Sequence, residues 1–70
     1  MRHLSKRSFT IQGHRTSVAL EPAFWLAFDA IVKARNQTPT ALITEIDEAR
    51  TTPLASAVRV WLFNQGNSSL

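Results

Sequence analysis

Arg15 and Ser17, two residues apart, hold the side-chain chemistry easiest to read in this sequence. In an extended strand, residues i and i+2 share a face. The run from Arg15 to Leu20 then splits into an outward set (Arg15, Ser17 and Ala19) and an inward set (Thr16, Val18 and Leu20). A guanidinium offers donors in a fixed fork, and a hydroxyl both donates and accepts. More cations lie just upstream. Residues 1–20 carry Arg2, Lys6, Arg7 and Arg15 and no acid, whereas residues 21–70 carry four bases against five acids, for a net charge of +3. A basic arm on a near-neutral body favours a polyanionic partner, nucleic acid first. His14, beside Arg15, can touch a phosphate. The plainer reading is a solvated basic tail ending in a solvated histidine.

Other chemistries find little support. The chain has no cysteine or tyrosine, and its only imidazoles are His3 and His14, so neither a structural metal site nor a nucleophile motif is recognisable. Asp47 and Glu48 are adjacent on a predicted helix and point in different directions. Gly13 and Gly66 are isolated, unlike a phosphate-cradling loop. The expectation is a protein that is not an enzyme and takes no cofactor or metal.

The elements that must position Arg15 and Ser17 follow from periodicity. Phe9 and Ile11 alternate with Ser8, Thr10 and Gln12, then the apolar parity switches from odd to even across Gly13. A one-residue phase change requires a bulge or a turn. The pattern predicts a strand over 15–20 and a second extended piece over 8–12. Pro22 opens the first helix, since proline suits the first helical position, and Glu21 suits its dipole. Phe24, Trp25, Phe28, Ile31 and Val32 make one stripe, and Asn36-Gln37 ends the helix near residue 35. Thr38-Pro39 repeats the start signal for a helix with the stripe Leu42, Ile43, Ile46 and Ala49. Thr52-Pro53 repeats it again for a last helix through Leu54, Val58, Trp61 and Leu62 to about Asn64. The aromatic stripe reads as packing surface rather than a base-stacking platform. Arg59 falls off the last stripe and reads as a surface charge.

Length adds a constraint. Seventy residues form at most one domain, and such a chain buries only about 60 % of its unfolded surface. Yet 44 % of residues are hydrophobic, including two tryptophans and four phenylalanines. Self-association is the obvious way to bury them. A single strand with one apolar face also needs a partner, and its twin across a two-fold axis would supply one.

Here the order of elements resembles a known family. The run Arg15-Thr-Ser-Val-Ala-Leu-Glu-Pro-Ala-Phe-Trp25, followed by Gln37-Thr-Pro-Thr-Ala-Leu-Ile-Thr-Glu-Ile-Asp47, resembles the ribbon-helix-helix DNA-binding proteins of the Arc and MetJ type. Lys6-Arg-Ser-Phe-Thr-Ile-Gln-Gly-His-Arg-Thr-Ser-Val18 and Leu54-Ala-Ser-Ala-Val-Arg-Val60 look like a bacterial subfamily of small, mostly uncharacterised members, and the likeness covers about residues 6–63. It implies two strands, one per chain, laid as an antiparallel ribbon in the major groove. Carried over, base contacts fall to Arg15, Ser17 and Ala19. Arg15 is suited to guanine O6 and N7, Ser17 is a weaker discriminator, and Ala19 is limited to apolar contact where a polar residue is usual. Phosphate contacts fall to Arg2, Lys6, Arg7 and His14, and to the second-helix N-terminus at Thr38 and Thr40.

The resulting expectation is a mostly α fold with one N-terminal β-strand and a short third helix, in an intertwined homodimer with a two-stranded antiparallel ribbon. The dimer core would take Val18, Leu20, Phe24, Trp25, Phe28, Ile31, Leu42, Ile43, Ile46, Val58, Trp61 and Leu62. Residues 1–7 form a flexible basic arm, 8–64 the domain and 65–70 a polar tail. Val60 and Phe63 lie off the last stripe and suit either the dimer or another protein. The expected function is a sequence-selective repressor of transcription, with an antitoxin or interaction adaptor on the same scaffold as the alternative. The start of the chain shows no signal-peptide pattern and no stretch reads as membrane-spanning, which gives an expected location in the cytoplasm, on the nucleoid.

Overall fold

The computed structural model describes residues 3–67. Its elements are β1 (Ser5–Ile11), β2 (His14–Leu20), α1 (Pro22–Ala34), α2 (Pro39–Ala49) and α3 (Leu54–Asn67). Arg2 and the last three residues of the expected tail lie outside the described residues.

In the N-terminal third the second extended piece expected over 8–12 is itself a strand, β1, paired with β2 in the same chain. Gln12 and Gly13 adopt φ of 51° and 83°. Positive φ at both central residues makes a tight turn whose twist suits two antiparallel strands. The register runs from Ile11↔His14 to Ser5↔Leu20. Odd residues of β1 therefore face even residues of β2, which is the parity switch across Gly13 seen in the sequence. Lys6 and Arg7, expected in a flexible arm, are strand residues instead. The side chain of Gln12 also donates to Glu48 Oε2 at 3.3 Å, tying the turn to α2.

This hairpin changes the account of burial. Of the residues expected to need a second chain, Val18, Leu20, Trp25, Phe28, Leu42, Ile43, Ile46, Val58 and Leu62 are buried within one chain, and Phe24, Ile31 and Trp61 pack half-buried against them. β1 supplies the missing cover through Phe9 and Ile11, both buried. Phe9, Trp25 and Phe28 form an aromatic cluster with centroids 5.2–6.3 Å apart, Trp25 and Phe28 edge to face at 87°. Such pairs add about 0.5–1.5 kcal/mol each beyond area burial. The apolar surplus thus does not by itself demand a dimer.

Helix ends follow local chemistry at two of the three starts. Pro22 and Pro39 both stand at the first helical position, and Thr38 Oγ1 accepts from the Ala41 N–H at 3.0 Å. Asn36, at φ 56°, closes α1 in the left-handed conformation. Its N–H bonds to Lys33 O at 3.1 Å and that of Gln37 to Val32 O at 3.0 Å, satisfying two end carbonyls. The third start differs. Pro53 lies before α3 and its carbonyl accepts from Ala57 N, so the helix opens at Leu54 rather than at the proline. With 14 residues α3 is the longest helix described, not the short one expected, and it passes Asn64.

Two polar links hold the start of the hairpin on α1. The Trp25 indole N–H donates to Ser5 O at 2.7 Å. The Arg7 guanidinium donates to both oxygens of Asp29 at 2.8 and 2.9 Å, and lies 4.5 Å from the Trp25 ring centroid. Arg59, expected to be a surface charge, donates to Glu21 Oε1 at 3.0 Å and ties α3 to the junction of β2 and α1. Hydrogen bonds from Arg7, aided by its charge and opposed by partial burial, hold the Asp29 carboxyl below its ordinary value of 3.8.

Two outcomes test this arrangement. Gly13→Ala is expected to cost about 1–2 kcal/mol in chemical denaturation, the penalty for a side chain in left-handed backbone, even though an added Cβ meets nothing within 4 Å. An unchanged midpoint would rule out the turn. Asp29→Asn is expected to cost up to about 1 kcal/mol at neutral pH, because the ion pair is partly exposed. Since the folded carboxyl titrates below its unfolded value, this stability is present above about pH 4 and is lost as pH falls through the folded value. Melting curves of the variant and the parent should therefore converge in acid.

Candidate nucleic-acid interface

The hairpin presents one face to the helices and one to solvent. Side chains alternate along each strand, and the burial pattern fixes which set faces which way: Phe9, Ile11, Val18 and Leu20 are inward and buried. The outward face takes Lys6, Ser8 and Thr10 from β1, and Arg15, Ser17 and Ala19 from β2. Across the strands these pair as Lys6↔Ala19, Ser8↔Ser17 and Thr10↔Arg15. All six are exposed except the half-buried Ala19. The hydroxyls of Ser8 and Ser17 lie 3.3 Å apart. Lys6 and Arg15 mark opposite ends of the face, four positions apart along the ribbon, or about 14 Å. The face has two cations, three hydroxyls and no acid.

The expected outward set Arg15, Ser17 and Ala19 is thus found on one face. β1 adds Ser8 and Thr10, which reading of the sequence did not propose. The signal was present, since the parity switch at Gly13 taken as a two-residue turn places both beside Ser17 and Arg15.

The expected phosphate contacts fare unevenly. Lys6 is exposed on the outward face. Arg7 is not, because its parity turns it toward α1, where it pairs with Asp29 and lies over the Trp25 ring. His14 is exposed at the turn but alternation puts it on the face opposite Arg15. At the start of α2 the donor set is smaller than an uncapped helix would offer. Pro39 has no N–H, Thr38 Oγ1 takes the Ala41 N–H, and Thr38 O takes that of Leu42 at 3.2 Å. The Thr40 N–H is left to meet an anion, at a helix start with no acid in its first turn.

The hairpin's edges matter as much as its faces. In a two-residue hairpin the pair flanking the turn exchanges both hydrogen bonds, and bonded pairs then alternate with unbonded ones. Ile11↔His14, Phe9↔Thr16, Arg7↔Val18 and Ser5↔Leu20 are accordingly the bonded pairs. The backbone groups of Arg15, Ser17 and Ala19 point the other way, to an edge that no strand covers among the described residues. Those of Lys6, Ser8 and Thr10 point to the opposite edge.

Elsewhere, Val60 and Phe63 are 58 % and 65 % exposed on α3, and Val60 borders a groove with Ile46, Ala49 and Trp61. Among the described residues no group of three or more His, Cys, Asp or Glu side chains is placed to hold a metal ion. No helix among them is long and apolar enough to cross a membrane.

A family model described as ribbon-helix-helix domain matches residues 4–65. No curated protein and no solved structure matches the chain.

Proposed function

Because the chain belongs to the ribbon-helix-helix domain family, matched over residues 4–65, we propose that it is a transcriptional repressor that binds a DNA major groove as a homodimer. Domains of this family are commonly DNA-binding transcription regulators. The observation that carries the proposal is the acid-free outward face of the hairpin, with Lys6 and Arg15 at its ends and hydroxyls between. Bacterial cytoplasm, on the nucleoid, is the setting this reading supposes.

The two copies meet through the open edge of β2. Centred on Ser17, antiparallel pairing sets Arg15 of one copy opposite Ala19 of the other, so no like charges meet. The paired β2 strands form the ribbon that enters the groove. Arg15 reads guanine O6 and N7, Ser17 adds a weak preference, and Ala19 touches at most a thymine methyl. Lys6 and the Thr40 N–H hold phosphates and set the docking angle. An adaptor or antitoxin role would instead use the exposed Val60 and Phe63 of α3 for a protein partner.

Two variants test this. Arg15→Ala should lose about 1–3 kcal/mol on a preferred duplex and far less on random sequence. Equal losses on both remove Arg15 from base reading. Ser17→Pro deletes an N–H that faces the open edge, a place where a strand tolerates proline. It should leave a folded monomer by sedimentation equilibrium, whereas Val18→Pro should disrupt the hairpin itself. A Ser17→Pro variant as dimeric as its parent excludes β2 pairing.

A further inference from the structure

We propose that β1 is a phosphate clamp, with Lys6, Ser8 and Thr10 gripping the DNA backbones on either side of the groove that the paired β2 strands enter. This rests on the dimeric DNA-binding reading above and extends it from Lys6 alone to the whole outward side of β1, with a strand order that places it.

The strand order comes from how the two edges differ. Proteins guard sheet edges against pairing with lysine and with inward-pointing charges. β1 has both, Lys6 and the inward Arg7 locked on Asp29. β2 has one full charge, Arg15 near the turn, which pairing centred on Ser17 sets against the neutral Ala19, and no inward-pointing charge. The β2 edge is therefore the one open to a second copy, and the dimer carries a four-stranded sheet ordered β1-β2-β2-β1, with β1 outermost on both sides.

Dimensions then assign the roles. Neighbouring strands lie about 4.8 Å apart, so the two outer strands stand about 14 Å apart. The major groove is about 12 Å wide and admits a two-stranded ribbon. The central β2 pair fits inside it, and the outer β1 strands meet its rims, where the phosphates are. Side-chain types agree with this division. The inner strand offers an arginine fork suited to a base edge, and the outer strand a lysine point charge and two hydroxyls, groups that commonly contact phosphate. Lys6 is also held in place on both sides. Ser5 O accepts from the Trp25 indole, and Arg7 is paired with Asp29.

The test measures binding of the full chain to random and to selected duplexes by fluorescence anisotropy over a salt series. Each phosphate contact contributes about 0.9 to the slope of log affinity against log salt, and the dimer has two copies of Lys6. The advantage of the parent over Lys6→Ala should therefore shrink about tenfold between about 50 and 200 mM salt, equally on both duplexes. Ser8→Lys, opposite the neutral Ser17, should steepen the slope by about 2 and leave the selected sequence unchanged. Lys33→Ala, on the exposed side of α1, should leave the slope as it is. An unchanged slope in Lys6→Ala overturns the clamp, and so does a new preferred sequence in either β1 variant, which would place β1 in the groove. If the parent itself fails to bind any duplex at low salt, the DNA-binding reading beneath it falls instead.

Discussion

The backbone at Gln12 and Gly13 sets which hairpin residues meet the helices and which meet solvent. Positive φ at both residues closes the chain into a hairpin after two residues, and that length fixes the register. With partners fixed, Phe9 and Ile11 join Val18 and Leu20 over the helices, while Lys6, Ser8 and Thr10 join Arg15, Ser17 and Ala19 in solvent. A slip of one residue would exchange the two sets, putting Lys6 into the core and Phe9 into water. The apolar pattern resists such a slip on both strands at once. Gln12 holds a conformation that costs a non-glycine residue about 1–2 kcal/mol, offset by the ladder it permits and by its side-chain contact with Glu48.

The second consequence concerns how folding relates to association. In a chain whose core is completed only by a partner, stability and dimerisation are one equilibrium. Here β1 completes the core from within, and the aromatic cluster of Phe9, Trp25 and Phe28 seals it. Among the surfaces left open to a second copy is the edge of β2, made of backbone groups beside Arg15, Ser17 and Ala19. In the proposed dimer, association adds hydrogen bonds along that edge without being needed to bury Phe28 or Leu42. On that reading the monomer is itself a folded species.

Much of this was legible in local sequence. Proline at the start of α1, Thr38-Pro39 at α2 and Asn36 at the end of α1 act through groups one to five residues away, so their signals are readable in place. The same applies to the split of Arg15 to Leu20 into two faces. The contacts that escaped are those set by distance along the chain. Arg7 meets Asp29 across 22 residues and Arg59 meets Glu21 across 38, and nothing in either short segment marks its partner. The proline at α3 misled because Thr52-Pro53 has the composition of a cap while the Pro53 carbonyl, not a threonine hydroxyl, opens the helix. The hairpin was half legible. The parity switch at Gly13 was visible, but without a register it did not reveal that β1 shares the outward face.

That shared face bears on how affinity and selectivity divide. In the proposed dimer the two outward cations are divided between the strands, Lys6 on β1 and Arg15 on β2, while both strands carry hydroxyls. A lysine and hydroxyls can bind phosphate at any sequence, so β1 and the Thr40 N–H supply binding that is strong at low salt and indifferent to bases. Base reading falls to β2, where Arg15 alone offers a bidentate donor and Ala19 offers none. Two copies give two such arginines, enough to favour guanine at two symmetric positions but few beyond them. The geometry thus favours affinity over discrimination. Separating the roles by strand also lets either change alone: a substitution at Ala19 alters what is read while β1 keeps its grip, and one at Ser8 alters the grip while the reading stands.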